Sequence, residues 1–405
     1  MANKILWIQC LLIFLLQLIS FNTFAGENNS VKENKWSIKI ADSFIERTPK
    51  YIVYDPNPIL QKWNYEQGLM LNAIKQMYLH TKDKKYFNYL KQNLDECVEE
   101  TGNIKTYSIN EFNIDQIGPG RALLFAFQVT GEKKYKKAAD SLRKQLSNHP
   151  RTKSGGFWHK KIYPWQMWLD GLYMGEPFYA EYSKIFNHEK DFDDIIHQFE
   201  LIYEKTRDPK TGLLLHAWDE SKEQKWADKE TGRSPHVWGR AMGWYMMALV
   251  DVLDFLPAKY SKRKILINQL NKLSEAIIKF RNQKSKVWYQ IIDLPDISPN
   301  YFEASASAMF VYSFAKVVSK NYLNKKYLRY AKESWQGILK EFVTIDEKGL
   351  VNLNFICQGA GLGGNPYRDG SFEYYMNEKK RTNDFKGVGP FLLSAIELEK
   401  AGVIK

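Results

Sequence analysis

At 405 residues the chain has room for one large domain or two ordinary ones, and three cysteines are too few for a disulfide-built scaffold. Lys and Arg number 58 against 46 Asp and Glu, a formal charge of +12. It is spread through Lys-rich stretches with no Arg-rich run, which fits a polyanionic glycan, or a plain solvated surface, ahead of nucleic acid. Aromatic residues make up 15% of the chain, with 12 Trp, 24 Tyr and 23 Phe, and this composition leans toward stacking on sugar rings.

The first 25 residues read as a unit of their own. Lys4 supplies an N-terminal charge, an apolar run follows over 5–21, and Thr23-Phe24-Ala25 offers small residues for a cleavage site. That is the layout of a secretory signal peptide, with export to the periplasm or beyond; an uncleaved membrane anchor is the competing reading. No later segment is long and apolar enough to span a bilayer, so stable membrane insertion is not expected of the mature chain. Residues 26–405 then form a single domain, a monomer or weak homo-oligomer, in which Cys97 and Cys357 are expected as free thiols.

Apolar residues recur at helical spacing over 34–48, 60–81, 84–99, 112–130, 134–148, 163–186, 189–207, 236–256, 261–281, 302–319, 324–342 and 384–400, which predicts about twelve helices. Short strand-like pieces stand at 213–216 and 287–291. Polar, Lys-rich turns lead into an aromatic at Tyr86, Tyr135, Phe192, Tyr260 and Tyr327, each opening the more polar helix of a pair. The partner helices carry Gly, Ala and aromatics with fewer charges, as an inner ring requires. Six such pairs predict an all-α (α/α)6 barrel, a six-hairpin toroid, rather than an open solenoid with polar capping repeats. The Gly-, Pro- and Trp-rich stretches 150–165, 209–240, 283–302 and 354–383 are its loops.

In chain order, the first isolated carboxylate is Asp115, in Phe112-Asn-Ile-Asp115-Gln-Ile-Gly118-Pro-Gly120-Arg121. It reads either as a helix cap or as a partner for the second carboxylate. That second one, Asp170, lies in Trp165-Gln-Met-Trp168-Leu-Asp170-Gly, set among tryptophans on an otherwise apolar segment. It reads as an acid/base group working on a sugar, or as an aspartate at a helix N-terminus. His159 and His216 are expected to hydrogen-bond a sugar. In Trp238-Gly-Arg240-Ala-Met-Gly243-Trp244, Arg240 and Trp244 share a helix face at a helix start, a receptor for a carboxylate or else an arginine reaching out of an aromatic core. Gly359-Ala-Gly361-Leu-Gly-Gly364 formally matches a dinucleotide-binding pattern, but no strand leads into it, and a tight loop beside a ligand is the better reading. The seven histidines show no metal-ligand spacing, so neither metal nor cofactor is expected.

Together these segments resemble the family 105 glycoside hydrolases, the unsaturated rhamnogalacturonyl hydrolases, and more distantly the family 88 unsaturated glucuronyl hydrolases. The matching pieces are Asn113-Ile-Asp115-Gln-Ile-Gly-Pro-Gly120-Arg121, Trp158-His159-Lys160, Pro164-Trp-Gln-Met-Trp168-Leu-Asp170-Gly-Leu-Tyr173-Met174, His216-Ala-Trp218-Asp219, Trp238-Gly-Arg240-Ala-Met-Gly243-Trp244 and Gly387-Val-Gly-Pro-Phe391. The resemblance implies an (α/α)6 barrel and a metal-free hydration of an unsaturated uronic acid at the end of an oligosaccharide. It makes Asp170 the acid/base, with Asp115 beside it, and gives His159, Lys160, Trp168, His216, Trp238, Arg240 and Trp244 to the substrate pocket. Rhamnose, from rhamnogalacturonan or from ulvan, is the expected neighbouring sugar. A polysaccharide lyase on the same toroid, which would be expected to use a Tyr/His or Arg/Asn set at a cleft, and a non-catalytic glycan-binding protein, which has no need of Asp170, are the rival readings.

Overall fold

The computed structural model describes residues 35–54 and 61–404, so the expected signal peptide lies outside the described residues. Twelve long helices and one short one follow in order: α1 Trp36–Arg47, α2 Tyr65–Thr81, α3 Lys84–Cys97, α4 Gly120–Thr130, α5 Lys133–Asn148, α6 Leu169–Ile185, α7 Asp191–Thr206, α8 Gly239–Val252, α9 Arg263–Lys279, α10 Ala304–Ser319, α11 Lys326–Phe342, α12 Phe372–Asn377 and α13 Phe385–Lys400. Helices α2, α4, α6, α8, α10 and α13 each pack on the next, and α13 returns to α2. They form a closed inner ring, and α1, α3, α5, α7, α9 and α11 pack around it, the (α/α)6 arrangement expected of the pairs.

The division follows composition. Every residue of α8 is buried, and so are all but two of α10, whereas α5 buries only a stripe that includes Tyr135, Ala138, Ala139 and Leu142. A helix apolar on all sides has to lie inside; one with a single apolar stripe covers the ring and faces water. Tyr86, Tyr135, Phe192 and Tyr327 are buried near the starts of outer helices as expected. Tyr260 departs from the pattern: it precedes α9 and packs half-buried against Phe192.

Two local expectations need correction. Residues 163–168 do not belong to α6. Gln166–Trp168 form a strand, β1, which pairs antiparallel with β2, Ala217–Asp219. The strand piece expected at 213–216 therefore lies just ahead of the real one, and 287–291 makes only isolated bridges, Trp238 with Ile291 and Tyr289 with Phe302. Likewise α4 starts at Gly120 rather than 112, because Pro119 fits a helix start and the preceding Ile114–Gln116 is a short 3₁₀ turn.

Below the mouth of the ring five inner helices share a buried ionic network. Asp251 on α8 accepts from Arg121 Nη1 on α4 at 2.6 Å, and from Lys316 Nζ and Tyr312 Oη on α10 at 2.6 Å each. Glu181 on α6 takes Lys75 of α2 at 2.5 Å and Arg121 Nε at 3.2 Å. Burial alone would raise the Asp251 carboxyl, but Lys316 and Arg121 outweigh it and hold it far below the usual carboxylate range. Among the described residues no helix is long and apolar enough to cross a membrane.

Candidate active site

A cavity of about 310 Å³ opens over the N-terminal ends of the inner helices. Tyr65 opens α2, Asp115 precedes α4, Asp170 lies in the first turn of α6, Arg240 in the first turn of α8, and Lys386 in that of α13, and all five line it. Helix N-termini carry partial positive charge, so this end of the barrel favours an anionic ligand. Of the nine residues singled out in the sequence, Asp115, His159, Lys160, Trp168, Asp170, Trp238, Arg240 and Trp244 border this one cavity.

His216 does not. It is fully buried behind Asp170, with Nε2 at 3.2 Å from Asp170 Oδ2 and Nδ1 at 2.8 Å from the hydroxyl of Tyr375. The pairing of β1 with β2 sets this contact, because His216 immediately precedes β2 and Asp170 follows β1 by two residues. Asp170 itself is not the cap of α6: the N-cap position is Trp168, and no side chain caps that end. The pair of tryptophans around Asp170 also resolves into one. Trp168 lines the cavity, whereas Trp165 meets Trp158 edge-on at 5.1 Å.

Asp115 carries a cationic partner. Its Oδ2 lies 2.6 Å from Lys160 Nζ and its Oδ1 3.4 Å from His159 Nε2. Burial works to raise the Asp115 carboxyl, but Lys160 and His159 prevail and keep it below its ordinary value, so it is a fixed negative group. His159 is pushed down to about 4, chiefly by burial, and is a neutral imidazole at neutral pH. It stacks on Trp168 at 4.4 Å and 10°, and Tyr163 stacks on the same indole at 5.1 Å and 17°. Gly171 allows this: a Cβ there would come within 3.2 Å of His159 Nδ1. Trp244 stacks on Tyr173 at 4.8 Å. The tryptophan walls are thus held rigid by protein rings before any sugar arrives.

Arg240 differs from the open fork its position suggests. Nε donates to Ser305 at 2.8 Å, and Nη2 reaches Glu303 at 3.3 Å and the carbonyl of Cys357. Only Nη1 lacks a partner among the described residues. Glu303 is itself buried at the N-cap of α10, so the guanidinium offers a ligand the single nitrogen Nη1 rather than a two-nitrogen fork.

Sequence reasoning missed several lining residues: Tyr65, Tyr163, Gln358, Tyr374, Glu378 and Lys386. For Lys386 a local signal existed. Asp384 accepts from Lys386 N as the cap of α13, and a capping aspartate before the Gly387 motif would have pointed to Lys386. Gly359 and Ala360 border the cavity, and the glycine run cradles Arg368, whose guanidinium would collide with any side chain at Gly361. Among the described residues no group of three or more His, Cys, Asp or Glu side chains is placed to hold a metal ion, and Cys97 and Cys357 are buried free thiols.

The family model described as Glycosyl Hydrolase Family 88 matches residues 36–401. The chain belongs to that family. A solved glycoside hydrolase from family 105 of C. acetobutylicum ATCC 824 is 48% identical, covers 91% of this chain and 100% of its own, and superposes with a TM-score of 0.87. "Protein Atu3128" of Agrobacterium fabrum is 36% identical over 230 residues, 55% of this chain and 97% of that protein. The unsaturated rhamnogalacturonyl hydrolase YesR of Bacillus subtilis (strain 168) is 28% identical over 72% of this chain and 78% of its own length. The family 88 chain is therefore a glycosidase, as the motifs indicated, and its substrate is a carbohydrate.

Proposed function

We propose that the enzyme removes a 4,5-unsaturated uronic acid from the non-reducing end of rhamnose-containing oligosaccharides left by polysaccharide lyases. The observation that carries this reading is Asp170. It is a nearly buried carboxylate that pairs with no lysine or arginine among the described residues, only His216 Nε2 standing 3.2 Å from its Oδ2, whereas Asp115, the other deep carboxylate of the cavity, is bound to Lys160. Two free carboxylates flanking C1 would suit ordinary displacement; one suits hydration of an enol ether. Asp170 gives a proton to C4, and positive charge develops at C5 and the ring oxygen. The resulting carboxylate takes a proton from water as its oxygen attacks C5, and the hemiketal opens to release the neighbouring sugar.

Asp115 and His159 face the ring hydroxyls, and the uronate carboxylate lies toward Arg240 Nη1 and the helix N-termini. A neighbouring hollow of about 390 Å³ shares Tyr65, Asp115 and Lys160 with the cavity and gives room for the next sugar. Rhamnose at that position is supported by the name of the B. subtilis relative. The +12 charge favours a sulfated, ulvan-type source over pectin. The leader over 1–25 supports export. Incubation with lyase digests of pectin, ulvan and glycosaminoglycans tests the reading: loss of alkene ultraviolet absorbance is expected in the rhamnose-containing digests. Turnover confined to glycosaminoglycan fragments would reject rhamnose, and no turnover on any digest would reject the function.

A further inference from the structure

We propose that Tyr375 is a positioning residue for the acid/base group: its hydroxyl holds His216 as the Nε2–H tautomer, and that N–H steadies the carboxylate of Asp170. The inference rests on the role given above to Asp170. Tyr375 and His216 are both fully buried, and neither borders the cavity, so neither touches substrate. Tyr375 stands on α12, whose start is capped by Ser371 Oγ accepting from Tyr374 N. Its hydroxyl lies 2.8 Å from His216 Nδ1. Burial, with the charges of Tyr374 and Asp170 adding to it, keeps the phenol protonated, and His216 Nδ1 is the partner its hydroxyl meets; taking Tyr375 as the donor leaves Nδ1 as the unprotonated nitrogen.

The proton on the ring therefore sits at Nε2, facing Asp170 Oδ2 across 3.2 Å. Nε2 and Oδ2 are both buried, and neither has a hydrogen-bond partner among the described residues. Each is costly to leave unpaired, and only 3.2 Å separates them. The contact lies off the hydrogen-bond line, as is common before substrate binds, and the proposal requires Asp170 to align with Nε2 in the working complex. The imidazole itself cannot swing away. Trp238 packs on it at 4.8 Å and Trp168 meets it edge-on at 5.5 Å. With the other tautomer, a bare Nε2 lone pair would face the carboxylate and repel it just when water has to be activated.

Nitrogen-15 NMR of histidine-labelled enzyme tests this directly, with the His216 signals assigned by their loss in His216→Asn. Wild-type enzyme should show a protonated, pyrrole-like Nε2 and an unprotonated Nδ1. Tyr375→Phe should mix the tautomers and lower kcat roughly tenfold while KM stays within about threefold, because a buried hydrogen bond is lost away from the substrate. Tyr374→Phe, one residue away, should leave the tautomer unchanged. A protonated Nδ1 in the wild-type enzyme overturns the proposal. So does a Tyr375→Phe enzyme with unaltered tautomer, or with altered tautomer and unaltered kcat. An active Asp170→Asn enzyme would instead reject the acid/base assignment, whatever the state of His216.

Discussion

Asp170→Asn should lower kcat by roughly 10²–10⁴-fold, the range for a positioned general acid/base, while the fold and ligand binding survive. The asymmetry follows from the local structure. Asp170 caps nothing and pairs with no lysine or arginine among the described residues, so an isosteric amide removes the exchangeable proton and otherwise alters only the contact with His216 Nε2 at 3.2 Å. The stability loss is confined to the favourable interaction of a carboxylate with the α6 N-terminus, about 0.3–1 kcal/mol. Steady-state kinetics on an unsaturated disaccharide, beside a thermal melt, checks both halves. Retention of more than about a tenth of wild-type activity would remove Asp170 from the role.

The largest stability effect is expected far from the chemistry, at Asp251→Asn. The amide keeps the volume but strips the counter-charge from Arg121 and Lys316, which stay buried. Removing one partner of a buried ionic cluster costs about 3–5 kcal/mol. Arg121 retains Glu181 at 3.2 Å and Lys316 retains Asp254 at 2.7 Å, which places the expected loss at the lower end. The pH dependence has a fixed sign. Because the Asp251 carboxyl is held below its unfolded value, its contribution is fully present above the ordinary carboxylate range and is lost as pH falls through that range toward the depressed folded value. Urea titrations from neutral to acid pH should therefore show a shallower acid decline in Asp251→Asn than in the wild-type enzyme. A change at neutral pH smaller than about 1 kcal/mol would mean that the network adds nothing to the closure of the ring.

Periodicity alone made the six helix pairs legible, because an inner helix such as α8 is apolar on every side while an outer one such as α5 is apolar on one. What stayed hidden depends on pairing across the chain. The strand Gln166–Trp168 reads as the start of a helix until Ala217–Asp219 lies beside it, and no local pattern announces a partner so far along the sequence. The same pairing moves His216 behind Asp170, where the residue types alone suggested a sugar ligand. Helix α12 is six residues long, too short for a helical period to show, so Tyr374 at the cavity and Tyr375 behind it were given no role. Arg240 lines the cavity, but Glu303, which occupies its fork, arrives from the start of a helix more than sixty residues later.

The hydration chemistry is tested most directly by turnover in heavy water. A proton delivered to C4 comes from solvent, so the released uronate should carry one deuteron at C4. Alkene absorbance should disappear one for one with sugar release, and the saturated analogue of the same disaccharide should be inert. Displacement at C1 would leave C4 unlabelled and the double bond initially intact. Finding no deuterium at C4, or comparable rates on the saturated analogue, would contradict the hydration mechanism even where sugar is released.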